Sequence, residues 1–197
     1  MQKKSHPLLF KLAGAMLLFV CGDIAPAHSD EGASGDKLSL GGGSGPVERG
    51  NQIPWFGGHL GSATTLGAEY IYGIQGRTGV YVDSLAFKYW DSRDYRVSMS
   101  VGGSGGTAYD VECDDEYWAV GVAATYSVYI HRMALICRNA HNMEQTTDYV
   151  GGPGGVEQKY ICPVGKHLAG FQVQSGIYLD GFQPFCKDDP IVGMPRF

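Results

Sequence analysis

Gly176-Ile177-Tyr178-Leu179-Asp180 has two siblings in this chain, and together they decide the fold. An earlier copy reads Gly79-Val80-Tyr81-Val82-Asp83. A worn copy between them, Ser127-Val128-Tyr129-Ile130-His131, has lost both the Gly and the Asp. Working outward, the second and third copies align without a gap at an offset of 49 residues, 101–137 over 150–186. The first, 56–90, aligns when its early part is three residues shorter. Gly73, Gly121 and Gly170 then coincide, as do Tyr81, Tyr129 and Tyr178, and Tyr89 takes the place of Cys137 and Cys186. Repetition at this period means that one backbone unit is built three times.

Each unit reads alike. A strand ends in a glycine loop: Gly57-Gly58-His59-Leu60-Gly61, Gly102-Gly103-Ser104-Gly105-Gly106, or Gly151-Gly152-Pro153-Gly154-Gly155. A second strand or hairpin leads to the shared mid-strand glycine, a position that marks a bulge or a close backbone approach. The Gly-x-Tyr-x-Asp turn follows. A last strand with period-2 alternation, such as Leu85-Ala86-Phe87-Lys88-Tyr89, closes the unit. Nothing between 50 and 190 has helical periodicity. Three four-stranded Greek-key units, none able to bury both faces alone, share one core around a pseudo-threefold axis. The expectation is an all-β β-prism over 51–190.

The totals agree. Of 197 residues, 44% are hydrophobic, 18% charged and thirty are glycine. That suits one folded domain rich in tight turns. Lys3, Lys4 and Lys11, the apolar run Leu12 to Val20 and Ala25-Pro26-Ala27 read as a signal peptide over 1–27. The run is too short to span a bilayer, so no stable membrane insertion is expected. Val20, where a small residue is wanted, argues against a lipoprotein anchored at Cys21. Residues 28–50 read as a flexible leader, with a short edge strand open at Leu38 and Leu40, and 191–197 as a tail. Cleavage near Ala27 leaves 12 basic and 19 acidic residues, a net charge of −7. An acidic exported chain is a poor nucleic-acid binder.

Cleavage also removes Cys21 and leaves Cys113, Cys137, Cys162 and Cys186, an even count that argues for disulfides. Cys113 to Cys137 and Cys162 to Cys186 are both 24 residues apart. The other symmetric pairing, Cys113–Cys162 with Cys137–Cys186, is equally regular, so both stay open. The histidines are scattered and no C-x-x-C occurs, which excludes a familiar zinc site.

The Gly and Asp that the middle copy has lost read as residues that serve a ligand and not the fold. A carboxylate accepts hydrogen bonds from two adjacent hydroxyls, and such charge-assisted bonds are the stronger kind. Loop amides supply donors in return. Glycine at the loop start permits a φ > 0 turn that aims them inward.

The residues also carry a resemblance. Trp55-Phe56-Gly57-Gly58, Val101 to Thr107, Glu116-Tyr117-Trp118-Ala119-Val120-Gly121 and Ser175 to Asp180 resemble the jacalin-related lectins over about 52–186. The resemblance implies a β-prism and carbohydrate binding, of the mannose or glucose type, without metal or other cofactor. It pairs each Gly-x-Tyr-x-Asp loop with a GG loop of the same Greek key. One implied site joins Gly176, Ile177, Tyr178, Leu179 and Asp180 to Gly57 and Gly58. The other joins Gly79, Val80, Tyr81, Val82 and Asp83 to Gly105 and Gly106. The third loop keeps its glycines but has Ser127 and His131, and is expected to bind weakly or not at all. Glycans or glycoproteins are the implied partners, and a homo-oligomer is open.

Other readings compete. Asp83 and Asp180 also read as turn caps. The three tyrosines, present even in the worn copy, read as framework. Arg77, just before the first loop, is a further donor candidate. Leu60 interrupts the first glycine loop, and His59 stands to crowd or contact a ligand. Asp114-Asp115-Glu116 and Asp188-Asp189 read as solvated turns. A partner-binding prism of an extracellular coat is the alternative function. A glycosidase pair is disfavoured, because threefold repetition puts the aspartates at separate sites.

Overall fold

The computed structural model describes residues 53–189 and the short strand Glu48–Arg49. The expected signal peptide, the rest of the leader, including Leu38 and Leu40, and the tail lie outside the described residues. The strands, in chain order, are β1 (Glu48–Arg49), β2 (Phe56–Gly57), β3 (Ser62–Gly67), β4 (Tyr70–Thr78), β5 (Val82–Trp90), β6 (Tyr95–Val97), β7 (Val101–Gly102) and β8 (Thr107–Glu112). They continue with β9 (Tyr117–Tyr126), β10 (Ile130–Asn139), β11 (Glu144–Thr146), β12 (Val150–Gly151), β13 (Val156–Ile161), β14 (Lys166–Ser175) and β15 (Leu179–Asp188). The described residues contain no helix.

The strands form three sheets, as a β-prism requires. Sheet I orders β6-β5-β4-β8, with β7 also on β5. Sheet II orders β1-β13-β9-β10-β11, with β12 on β10. Sheet III orders β2-β15-β14-β3. A sheet is therefore not one sequence repeat. Each joins the long hairpin of one repeat to the glycine-loop strands of the next, and sheet III joins the last hairpin to the first loop. Phe56 pairs with Phe182, and Gly57 with Gly181, 124 residues on. Chain closure thus supplies the third sheet.

The mid-strand glycines sit at bulges, as expected. The register slips at Ile71/Gly73 in sheet I, Ile136/Cys137 opposite Gly121 and Ala119 in sheet II, and Leu168/Gly170 in sheet III. The carbonyl before each glycine turns to accept an amide at the start of a sheet seam: Tyr72 O from Cys113 N, Val120 O from Cys162 N, and Ala169 O from Ala68 N. These bonds make Ala68 the third counterpart of Cys113 and Cys162. The disulfides are Cys113–Cys137 and Cys162–Cys186, which settles the pairing that spacing left open. They tie sheet I to II and sheet II to III. The remaining seam has Ala68 and Tyr89 instead, with Tyr89 packed against the core. Each bridge contributes on the order of 3 kcal/mol by loop entropy.

The core fills the prism axis. Phe182 stacks on Phe56 and Phe171, at 4.8 and 4.4 Å between centroids, and Phe87 meets Phe171 edge-on at 5.0 Å. The alternate residues of each sheet face outward. Sheet II differs there from the other two: Trp118, Val120, Ala123, Ile136 and Ile161 make a second buried apolar cluster on its outer face.

Candidate functional site

The three hairpin loops converge at one end of the prism. In each, the first residue donates its amide to the carbonyl of the tyrosine two residues on: Gly79 to Tyr81, Ser127 to Tyr129, Gly176 to Tyr178, at 2.9–3.0 Å. The three tyrosine rings meet around the axis. Their centroids lie 5.1–5.2 Å apart in all three pairs, inclined at 59°, 60° and 62°. Tilted aromatic contacts at this separation are favourable. The three tyrosines pack on one another, Tyr129 of the worn copy included, as the framework reading expects.

The three glycine loops pack between these hairpins. Gly57, Gly102 and Gly151 all have positive φ, as do Gly61, Gly106 and Gly155. A Cβ on Gly58, Gly103 or Gly152 would stand 2.5, 2.3 or 2.6 Å from the carbonyl oxygen of Val128, Ile177 or Val80. Each loop is thus wedged against the neighbouring sheet's hairpin loop. Backbone packing demands these glycines in all three copies, whatever they do for a ligand.

The loop-start glycines obey a different rule. Gly79 and Gly176 do not have positive φ, contrary to the turn expected there. A Cβ on either would meet the carboxylate of its own loop at 3.8 Å, an ordinary contact. Their amides are already spent inside the turn. At these two positions a small side chain would meet only ordinary contacts, so backbone packing does not demand glycine beside Asp83 and Asp180.

Both carboxylates are nearly buried, 4% and 3% exposed, at the second residues of β5 and β15. Each has an Oδ2 atom that is buried without a hydrogen-bond partner. Burying an acceptor unpaired is costly, so it needs an explanation beyond turn capping. Burial pushes the Asp180 carboxyl above its ordinary value. Glycine crowds both groups. A Cβ on Gly105 or Gly106 would lie 2.5 or 2.6 Å from the Asp83 oxygens, and one on Gly61 2.4 Å from Asp180 Oδ2.

The middle loop fills the same space with side chains. Ser127 Oγ lies 2.9 Å from His131 Nε2, and His131 Nδ1 lies 3.3 Å from the Pro153 carbonyl oxygen. Both ring nitrogens are engaged by the protein. Tyr81 also meets the imidazole edge-on at 4.8 Å.

The structure brings each predicted hairpin loop to its predicted partner. Gly58 N donates to Asp180 O at 2.8 Å, and Gly103 N to Asp83 O at 2.8 Å. Within the first glycine loop, Gly57 and Gly58 touch the backbone of Asp180, whereas Gly61 faces its carboxylate. Gly61 escaped the sequence reading because Leu60 breaks the glycine run; equating it with Gly106 in the alignment finds it. Leu60 is exposed, and His59 is held away in a stack on Trp55 at 4.2 Å. Arg77 clamps the second loop, with Nε and Nη2 donating to Gly105 O and Gly106 O at 2.7 and 2.6 Å. At the prism's other end Asp189 binds His167 Nδ1 at 2.8 Å and Asp188 pairs with Lys166. Among the described residues no cluster of three or more His, Cys, Asp or Glu is placed to hold a metal ion.

No family model matches the chain, and no curated protein sequence matches it. Solved structures do. Malaysian banana lectin superposes with a TM-score of 0.58 at 17% identity, over 70% of this chain and 97% of its own. A mannose-binding jacalin-related lectin from Ananas comosus gives 0.55 at 16%, over 70% and 96%. A prostate-specific WGA16 glycoprotein lectin gives 0.54 at 20%, over 68% and 96%. At these identities the likeness is one of fold, and the fold of this chain is the β-prism of the jacalin-related lectins.

Proposed function

We propose that this protein is an exported, metal-independent lectin with two sugar sites. One lies between 79–83 and 102–106, the other between 176–180 and 57–61. The observation that carries the reading is the pair of buried, donor-less Oδ2 atoms on Asp83 and Asp180, each beneath a glycine that backbone packing does not require. A hexose offers two adjacent hydroxyls to such a carboxylate, and it would approach from the side that Gly79 and Gly176 leave without a side chain. Mannose or glucose is the class proposed, in keeping with the Ananas comosus lectin's mannose binding. The reading is non-catalytic, since Asp83 and Asp180 face separate glycine loops on separate sheets. The two disulfides fit an oxidising compartment and hence export. Single-site affinity is expected to be weak, with glycan or glycoprotein binding raised by using both sites at once.

The test is calorimetric titration of the protein with methyl α-mannoside and methyl α-glucoside, alone and with Asp83→Asn, Asp180→Asn and both. Binding that persists in the double variant at parental strength sinks the site assignment.

A further inference from the structure

We infer that each carboxylate loop opens onto an outlying subsite on the outer face of its sheet, and that the subsite beside Asp83 takes an anionic sugar residue. This rests on the lectin reading above. On sheet I, beside the loop 102–106, lies an open groove of about 570 Å³ whose lining includes Gln75, Arg77, Ser104, Ala108 and Asp110. On sheet III a groove of about 200 Å³ is lined by Trp55, Ala63, Thr65, Gln172 and Gln174, among others.

The strand registers equate the two. Arg77 pairs with Ala108 and Gln75 with Asp110 in sheet I. Gln174 pairs with Ala63 and Gln172 with Thr65 in sheet III. In both, the small alanine beside the long side chain leaves room for a ligand. The same positions in sheet II are Thr125 opposite Glu157 and Ala123 opposite Lys159, and there Thr125 and Ala123 are buried. The open grooves accompany the two loops that keep Asp.

The grooves differ in charge. The one on sheet III has neutral amide, hydroxyl and indole groups, suited to an uncharged sugar. In the one on sheet I, Arg77 is exposed and makes no ion pair among the described residues. Its two bonds to the Gly105 and Gly106 carbonyls fix the guanidinium and leave Nη1 uncommitted. Asp110 turns away from it to Lys88 Nζ at 2.9 Å, an ammonium it shares with Glu112, and makes no bond to Arg77. A guanidinium fixed in this way presents its remaining Nη1 edge to a carboxylate or a sulfate from a set position, which a flexible ammonium would not. A glycan whose terminal sugar sits on Asp83 and whose next residue carries a uronate or sulfate would meet it.

The test isolates the Asp83 site in an Asp180→Asn background of the full chain. The probes are methyl α-mannoside, a neutral mannose-terminated disaccharide, and the same disaccharide with a uronate as second residue. The acidic disaccharide is expected to bind about tenfold tighter than the neutral one, as a charge-assisted bond allows. That ratio should shrink with added salt. In Arg77→Gln the ratio should fall to about one, whatever releasing the loop carbonyls does to both affinities. The reciprocal Gln174→Arg, in an Asp83→Asn background, should give the Asp180 site an acidic preference. A ratio near one in the parent, or one that Arg77→Gln leaves unchanged, overturns the inference while the lectin reading stands. If the monosaccharide itself fails to bind, both fall together.

Discussion

The loops 79–83 and 176–180 and the loop 127–131 share a backbone and differ in chemical kind at their first and last positions. All three close the same two-residue hydrogen bond and send a tyrosine to the axis. In the outer two, a glycine leaves space above a buried carboxylate with no donor of its own. In the middle one, Ser127 and His131 occupy that space and satisfy each other. The difference separates what the prism needs from what a ligand needs. The tyrosine and the GG-loop glycines belong to the fold. The loop-start glycine and the aspartate come as a pair in the two loops that keep them, and the proposed sugar sites rest on that pair.

That comparison is open to attack at several points. The largest effect is expected where backbone meets backbone. Gly58→Ala or Gly103→Ala should cost about 2–3 kcal/mol, because a Cβ there strikes a carbonyl of the neighbouring hairpin. Denaturant unfolding measures this; a loss below about 0.5 kcal/mol would mean that these glycines are retained for a ligand after all.

Next comes the graft Ser127→Gly with His131→Asp. It should add a third sugar site and lower stability by about 1–3 kcal/mol, since it buries a carboxylate without a donor. Titration stoichiometry checks the gain. A graft that folds and adds no site would show that Gly and Asp are insufficient on this framework.

Smaller in stability, and the cleanest contrast, are Gly79→Ser and Gly176→Ser. Each should leave stability within about 0.5 kcal/mol of the parent. Each should weaken its own site roughly tenfold by filling the space over the carboxylate, a cost of about 1.4 kcal/mol. Equal losses of stability and binding would make these glycines structural.

The smallest effect is in pH dependence. Burial raises the folded-state carboxyl of Asp180 above its ordinary value of 3.8. The folded chain therefore holds this proton more tightly than the unfolded chain. The group's contribution to stability falls as pH rises from the ordinary value through the raised one. Asp180→Asn should remove that dependence and make the protein slightly more stable at neutral pH, as thermal unfolding across pH would register. Sugar binding at this site should fade on acidification at a higher pH than an ordinary carboxylate gives, because the acceptor is then protonated.

Much of this was legible in the sequence, because repetition carries geometry. Three aligned glycines located the bulges, and Tyr89 in place of a cysteine foretold a seam without a bridge. Other features were not legible. No local pattern says that β2 and β3 complete the sheet of β14 and β15; the expected pairing of Gly57 and Gly58 with 176–180 came from the resemblance and from closing the threefold ring. The disulfide pairing depended on which strands share a seam, and two pairings had equal regularity. The turn at Gly79 and Gly176 looked like a φ > 0 position because glycine usually signals backbone freedom. Neither residue has a positive φ, and a Cβ on either would stand 3.8 Å from the carboxylate of its own loop. Arg77 was visible as a donor, but its hold on Gly105 and Gly106 spans 28 and 29 residues and depends on the pairing of β4 with β8.

The central claim is that the Gly and Asp of the outer loops, and not the shared framework, make two sugar sites. Site counting by calorimetric titration tests it most directly, using methyl α-mannoside or methyl α-glucoside, whichever binds. The account predicts two sites in the parent, one in Asp83→Asn, one in Asp180→Asn and none in the double variant, all remaining folded. Undiminished binding in the folded double variant would contradict it.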